Sequence, residues 1–350
     1  MEAIVVDDHP PIRGIMPEML RVLLLLLIAA PAAWSAPPVL QWPLACTPNR
    51  DCWIANHVDL DPGPGIRDYQ CGALTYDGHN GTDIALRDRA AMEEGVAVFA
   101  AAAGRVRGMR DGIADASVRD TGKEAIRDRE CGNGAVIEHG DGWETQYCHL
   151  RRGSVRVKLS EQVAAGQPLG LVGLSGLTEY PHLHITVRRH GRTIDPFRGE
   201  KEGADCAAAH PLWRADIAAS LPYAPGAVYN AGFAPEVPEA EDVRSGRYRS
   251  TLVLRPDAPV LAFYAEVFGV APGDALELRV TGPDGRTLVE NRVPMDRRQA
   301  RRFAAVGKRN TAQSWAPGIY RGEARLVRAD GGRSVASVRT TEIEVGRGSR

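Results

Sequence analysis

The sequence predicts a mainly β protein: an antiparallel β-sandwich in the middle of the chain, followed by a smaller C-terminal β-sandwich of the immunoglobulin-like kind. Two observations support this. Between about residues 96 and 197, short alternating runs such as "GVAVFAAAAGRVRGM", "GAVIEHGDGWETQYCHL", "SVRVKL", "QPLGLVGLSG" and "HLHITVRRHGRTIDPF" are separated by glycine-containing turns. From about residue 246 a second series follows, with "YRSTLVLRP", "VLAFYAEVFGV" and "ALELRVTGPDGRTLVENRV", and it contains neither cysteine nor histidine.

The elements follow in chain order. Residues 1–35 combine a short extension with "LRVLLLLLIAAPAAWSAPP", whose single charge, apolar run and small residues predict an export signal cut between Ser35 and Ala36. The extension carries an acidic pair, Asp7 and Asp8, like the start of a response-regulator receiver domain, but no such domain follows. It is read as a mis-set start, with Met16 or Met19 the expected beginning. The apolar run is too short for a membrane span, so none is expected after signal cleavage.

Residues 36–76 are rich in Pro, Asp and Asn and read as an irregular lead-in held by disulfides, in which His57 and Asp59 are expected to be surface polar residues. Residues 77–200 carry the first strand series. Within it Asp141-Gly142 predicts a tight hairpin turn between Val136–His139 and Trp143–His149. Residues 110–130, charged and without apolar period, read as a surface insertion. Residues 201–245, with "APEVPEAEDV", read as a linker region, and 246–346 as the C-terminal sandwich.

Charge is balanced, 43 basic against 44 acidic residues, which argues against general attraction to nucleic acid or anionic lipid. All six cysteines follow the signal-like segment and precede residue 210. An even number in an exported chain favours disulfides, although six allow fifteen connectivities. Cys131 and Cys148 bracket the expected hairpin and are read as a pair, with Cys46 and Cys52 a second candidate; no CxxC spacing supports a thiolate metal site.

Candidate chemistry rests on three short contexts. "YDGHNGTDIAL" places His79 and Asp83 four apart across a turn, "ETQYCHL" puts His149 at the end of a strand, and "PHLHITVR" sets His182 and His184 two apart. In a strand, residues i and i+2 project from one face, so the last two imidazoles point together, and such a pair needs a metal or a polar partner if buried. A catalytic zinc commonly takes three protein ligands of this kind.

Together, H-x-x-x-D, Y-x-H-L and P-H-L-H in this order, with "GLVGLSG" before the last, resemble the M23 peptidases, the lysostaphin-like zinc endopeptidases of bacterial cell walls. The resemblance spans about Asp77 to Phe197. It implies that His79, Asp83 and His184 hold Zn2+, and that His149 and His182 are catalytic histidines, moving a proton or stabilising an oxyanion. Cys148 and the run Leu177-Thr178-Glu179-Tyr180-Pro181 depart from the family pattern, and Glu179 and Tyr180 are expected on the substrate cleft wall. The function implied is an exported, periplasmic or extracellular zinc metalloendopeptidase acting on peptidoglycan cross-links or stem peptides. The alternatives are a non-catalytic regulator of another wall hydrolase, whose kind usually loses metal ligands, and a secreted zinc peptidase acting on protein. The lead-in could hold a segment over the zinc. Bond cleaved, disulfide connectivity and oligomeric state stay open.

Overall fold

In the computed structural model, residues 36–200, 206, 210–312, 314–330 and 333–346 are described. The expected signal segment and Asp7 and Asp8 lie outside them. The first strand series supplies β1 (Cys52–Asn56), β2 (Thr82–Leu86), β3 (Ala97–Phe99), β4 (Gly104–Arg110), β5 (Asn133–Gly140), β6 (Trp143–Leu150), β7 (Gln162–Val163), β8 (Pro168–Leu171), β9 (His182–Arg189) and β10 (Arg192–Ile194). The main sheet runs β1-β2-β9-β6-β5-β4-β7, with β10 on β9, and every pairing is antiparallel. A ribbon of β3 and β8 shares its core: Val98 and Leu169 are buried with Ile84, Ile137, Leu183 and Ile185.

Alternation sorts this sheet into two faces. Ile84, Leu183 and Ile185 point into the core, so Asp83, Ala85, His182 and His184 point the other way. The β5–β6 hairpin turns at Asp141 and Gly142, both with positive φ (47° and 72°), as the Asp-Gly pair predicts. The insertion at 110–130 carries a short helix, α1 (Val118–Thr121), on a mostly exposed stretch. It is tied down by Asp111, which accepts from Gly153 N (2.7 Å), and by Asp115, which accepts from Arg152 N and Leu174 N (2.9 Å each).

The second series forms two sheets. β11 (Ala227–Ala234), β13 (Val260–Val270) and β16 (Gln299–Arg309) make one; β12 (Val253–Leu254), β14 (Ala275–Thr281), β15 (Thr287–Pro294), β17 (Gly318–Asp330) and β18 (Arg333–Val345) make the other. Phe233, Leu261, Phe263 and Val267 of the first sheet bury against Leu276, Leu278, Leu326 and Ile343 of the second. That is the expected sandwich.

The linker expectation for 201–245 is corrected over its described part. Leu212, Trp213 and Leu221 are buried in the first core, and β11 is a full strand of the sandwich paired along β13. "APEVPEAEDV" runs into a helix, α2 (Ala240–Ser245), that buries Val243. Composition misled here, because the Ala-, Gly- and Pro-rich background hides the apolar positions of "AVYNAGFA".

His57 is likewise not a surface residue. It is 2% exposed, boxed by Tyr69 and Phe197 (ring centroids 4.9 Å from each) and Tyr223. Burial pushes its imidazole down to about 4. Asp59 is partly buried and accepts from Asp61 N, Arg67 N and Gly78 N, knotting the lead-in. Three disulfides close the region: Cys46–Cys52, Cys71–Cys206 and Cys131–Cys148. They fit an oxidising compartment. Among the described residues, no helix is long and apolar enough to cross a membrane.

Candidate metal centre

Asp83 and His184 face each other across the β2–β9 pairing, and His182 lies opposite Ala85 on the same face. His79 precedes β2 on the Asn80-Gly81 turn. A Cβ on Gly81 would stand 2.5 Å from His184 Nε2, so only glycine lets that ring approach. His149 reaches the same face by a different route. Cys148 is paired with His184, so strict alternation would send the next side chain to the opposite face. Instead His149 has a φ of 63°, its N–H donates to Cys131 O (2.8 Å), and its ring lies 4.6 Å from that of His182.

The structure brings together all five residues that the sequence singled out. His79 Nε2 lies 3.2 Å from Asp83 Oδ1 and 3.2 Å from His184 Nδ1, and the last two atoms are 2.8 Å apart. Ligand atoms about 2.0–2.1 Å from a tetrahedral zinc stand about 3.3 Å from one another, so this triangle fits such an ion with little rearrangement. His149, His182 and His184 form a second group of potential ligand atoms, within 4.8 Å of one another. The tighter triangle and its mix of two imidazoles with one carboxylate favour the first.

Outer partners fix the tautomers. His79 Nδ1–H donates to the His57 carbonyl (2.6 Å), which leaves Nε2 bare toward the triangle. His184 Nε2–H donates to Asn80 Oδ1 (3.1 Å), with Thr186 Oγ1 at 3.0 Å, which leaves Nδ1 inward. Asp83 offers Oδ1 to the triangle while its Oδ2 accepts from Asn56 Nδ2 (2.9 Å). Such partners orient ligands and raise their basicity. On the other side, His149 Nδ1–H donates to Ser175 O (2.7 Å), and His182 Nδ1–H donates to Tyr180 O (2.9 Å) beside Thr178 Oγ1 (3.1 Å). His149 therefore keeps Nε2 free over the groove, whereas His182 Nε2 lies 3.3 Å from Asp83 Oδ1 at the edge of the triangle.

Burial tends to raise the Asp83 carboxyl, but His79 and His182, with hydrogen bonds from His182 and His184, outweigh it and hold it well below its ordinary range. Burial tends to lower His79, and Asp83 reverses this to a net rise. Burial, reinforced by the charges of His182 and His184, keeps His149 well below 6.5, and burial also lowers His184. The carboxylate is thus ionised and His149 neutral near pH 7.

Glu179 and Tyr180, the residues expected on the cleft wall, each have a partner from outside the main sheet. Glu179 pairs with Arg119 of the insertion at 2.6 Å. Tyr180 is partly buried, with its ring 4.7 Å from that of His182 and the Arg301 guanidinium 4.5 Å over its centroid. The lead-in supports the centre through Asn56 and the His57 carbonyl. Asn56, Ser175 and Thr178 were not singled out from sequence. Backbone carbonyls carry no residue signature, and an Asn in an irregular lead-in has no motif.

Residues 77–196 match the model of peptidase family M23. This part of the chain belongs to that family. The chain is 39% identical over 71 residues to the cell division protein DipM of Caulobacter vibrioides, covering 19% of this chain and 11% of that one. It is 37% identical over 67 residues to the peptidoglycan DD-endopeptidase ShyA of Vibrio cholerae, covering 19% and 15%. It is 36% identical over 95 residues to the murein hydrolase activator EnvC of Escherichia coli, covering 27% and 22%. The chain thus spans only about a tenth to a fifth of the length of these relatives. A similar solved structure is the catalytic domain of the prophage-encoded M23 protein EnpA from Enterococcus faecalis, at 23% identity over 40% of this chain and 85% of that one, with a TM-score of 0.28.

Proposed function

We propose that the chain is an exported, zinc-dependent endopeptidase that hydrolyses peptide bonds in peptidoglycan cross-links or stem peptides. The observation that carries this is the triangle of His79 Nε2, Asp83 Oδ1 and His184 Nδ1, each with its outer partner, beside two histidines, His149 and His182, that are each anchored at Nδ1 by a backbone carbonyl. His79, Asp83 and His184 would hold the zinc, which when bound acidifies a water and polarises a scissile carbonyl.

The remaining steps belong to the chain's own residues. His149, neutral and anchored at Nδ1 by Ser175 O, accepts a proton at Nε2. His182, anchored at Nδ1 by Tyr180 O, would act in its doubly protonated form, donating from Nε2 to the developing oxyanion or to the leaving amine. The main sheet face that carries them is the surface on which an extended peptide would lie. Cell-wall material as substrate draws support from the likeness to ShyA, named a peptidoglycan DD-endopeptidase. Export draws support from the signal-like segment and the three disulfides.

A second reading follows from the likeness to EnvC, named a murein hydrolase activator. The complete donor set favours catalysis over it. Digestion of purified peptidoglycan by the mature protein, with and without chelator and beside His149→Ala, tests the proposal. Chelator-sensitive release of peptide fragments that the variant lacks is expected; activity insensitive to chelator, or equal in the variant, overturns it.

A further inference from the structure

One end of the histidine-bearing face is covered by the C-terminal sandwich. Trp53 is paired with Ala85, which places its ring on the same face as Asp83 and His182. Trp53 and Leu74 bury against Tyr229 and Phe268 of the sandwich in a core of their own. A small cleft remains at this junction, walled by Trp53, Tyr180, Tyr229 and Phe268, with Asn56 and Arg301 as its principal polar groups.

Arg301 is unusual there. It projects from β16, is partly buried, and stacks over Tyr180 at 4.5 Å. Among the described residues, no carboxylate lies within ion-pair distance of it, whereas Arg244 takes the fully buried Glu266 at 2.8 Å. Tyr229 is 5% exposed, and its hydroxyl forms no well-aligned hydrogen bond although Arg301 and Glu266 both lie close. The buried Tyr229 hydroxyl and Glu266 Oε2 each lack a hydrogen bond, a costly arrangement for buried polar groups, and the partly buried Arg301 guanidinium faces the same apolar cleft as Tyr229. A planar carboxylate suits a guanidinium fork.

We propose that this cleft is a carboxylate-binding subsite supplied by the C-terminal sandwich, in which Arg301 and Tyr229 hold a free carboxylate of the bound peptide and the aromatic walls take a small apolar side chain beside it. The proposal rests on the peptidase reading. It makes the second domain part of substrate selection, because Arg301 stacks on Tyr180, whose ring in turn lies 4.7 Å from that of His182.

The test reads binding without turnover. The full-length, zinc-loaded His149→Ala protein is titrated calorimetrically with an N-acetylated tripeptide ending in D-Ala-D-Ala, as the free acid and as the C-terminal carboxamide. The acid should bind at least about tenfold tighter than the amide, the size expected of a charge-assisted contact. Adding Arg301→Gln should bring the two ligands within about twofold, Arg301→Lys should restore part of the preference, and Tyr229→Phe should reduce it. Thermal melting checks that each variant is folded. Equal binding of acid and amide, binding of neither, or a preference that survives Arg301→Gln overturns the proposal. Peptidoglycan digestion is read separately, so loss of the subsite and loss of the peptidase reading give different results.

Discussion

The disulfide beside His149 offers the most quantitative test of how the groove is built. Replacing both partners, Cys131→Ser with Cys148→Ser, opens a loop of sequence separation 17. Loop-closure entropy for that length corresponds to about 3 kcal/mol lost from the folded state. For a unit of this size the melting temperature should drop on the order of 5–10 °C. The local consequence is sharper. His149 holds a left-handed φ of 63°, a conformation that costs about 1–3 kcal/mol in a residue of this kind and persists only if neighbours enforce it. The enforcing contacts are the bridge at Cys148, His149 N–H to Cys131 O (2.8 Å) and Gly173 N–H to His149 O (2.9 Å). Opening the bridge frees Cys131, the acceptor of the first of these hydrogen bonds. The backbone can then relax toward regular alternation and withdraw the imidazole from the groove. The double variant should keep its metal, because His79, Asp83 and His184 lie on other elements, but lose at least about tenfold in turnover. Thermal melting, metal analysis and a peptidoglycan digestion rate measure the three quantities. A variant that melts and cleaves as the wild type does would show that the bridge does not hold His149 in the groove.

Other expectations follow from single contacts. Asn56→Ala removes the donor to Asp83 Oδ2 and should weaken zinc binding about 10- to 100-fold in a chelator competition. Thr178→Val removes the hydroxyl that donates to Tyr180 O at 2.8 Å and lies 3.1 Å from His182 Nδ1, so turnover should fall with zinc content unchanged. Asp195 is buried, with one carboxylate oxygen lacking a hydrogen bond, and burial pushes it from 3.8 up to about 7. Because the folded state holds that proton more tightly, its contribution is complete below pH about 4 and is lost as pH rises through about 7, in total about 4 kcal/mol. Asp195→Asn should flatten this part of the stability profile in denaturant titrations run from pH 4 to 8; an unchanged slope would show that the carboxyl is not the titrating group.

Much of the centre was legible because its ligands sit in short motifs whose geometry is local. The Asp141-Gly142 turn set the hairpin register, and the two-residue period of "HLH" placed His182 and His184 on one face. Other features depend on distant chain. The left-handed φ of His149 is imposed by Cys131 and Gly173, and the tautomers of His79 and His149 are set by the carbonyls of His57 and Ser175, where residue identity carries no information. The burial of His57 needs Phe197 and Tyr223, both far along the chain. The Cys71–Cys206 pairing and the contact of Arg301 with Tyr180 join segments that no local pattern relates. Composition called 201–245 a linker, whereas β11 is decided by its partner β13.

The two histidines of "HLH" are assigned different work, His184 holding the metal and His182 acting beside it, and zinc stoichiometry measured on purified single variants separates these roles. His79→Ala, Asp83→Ala and His184→Ala should each come out depleted of zinc, while His182→Ala and His149→Ala should retain close to one ion per chain and lose turnover. A metal-free His182→Ala protein, or a His79→Ala protein that keeps its zinc, would contradict the assignment and favour the alternative cluster of His149, His182 and His184.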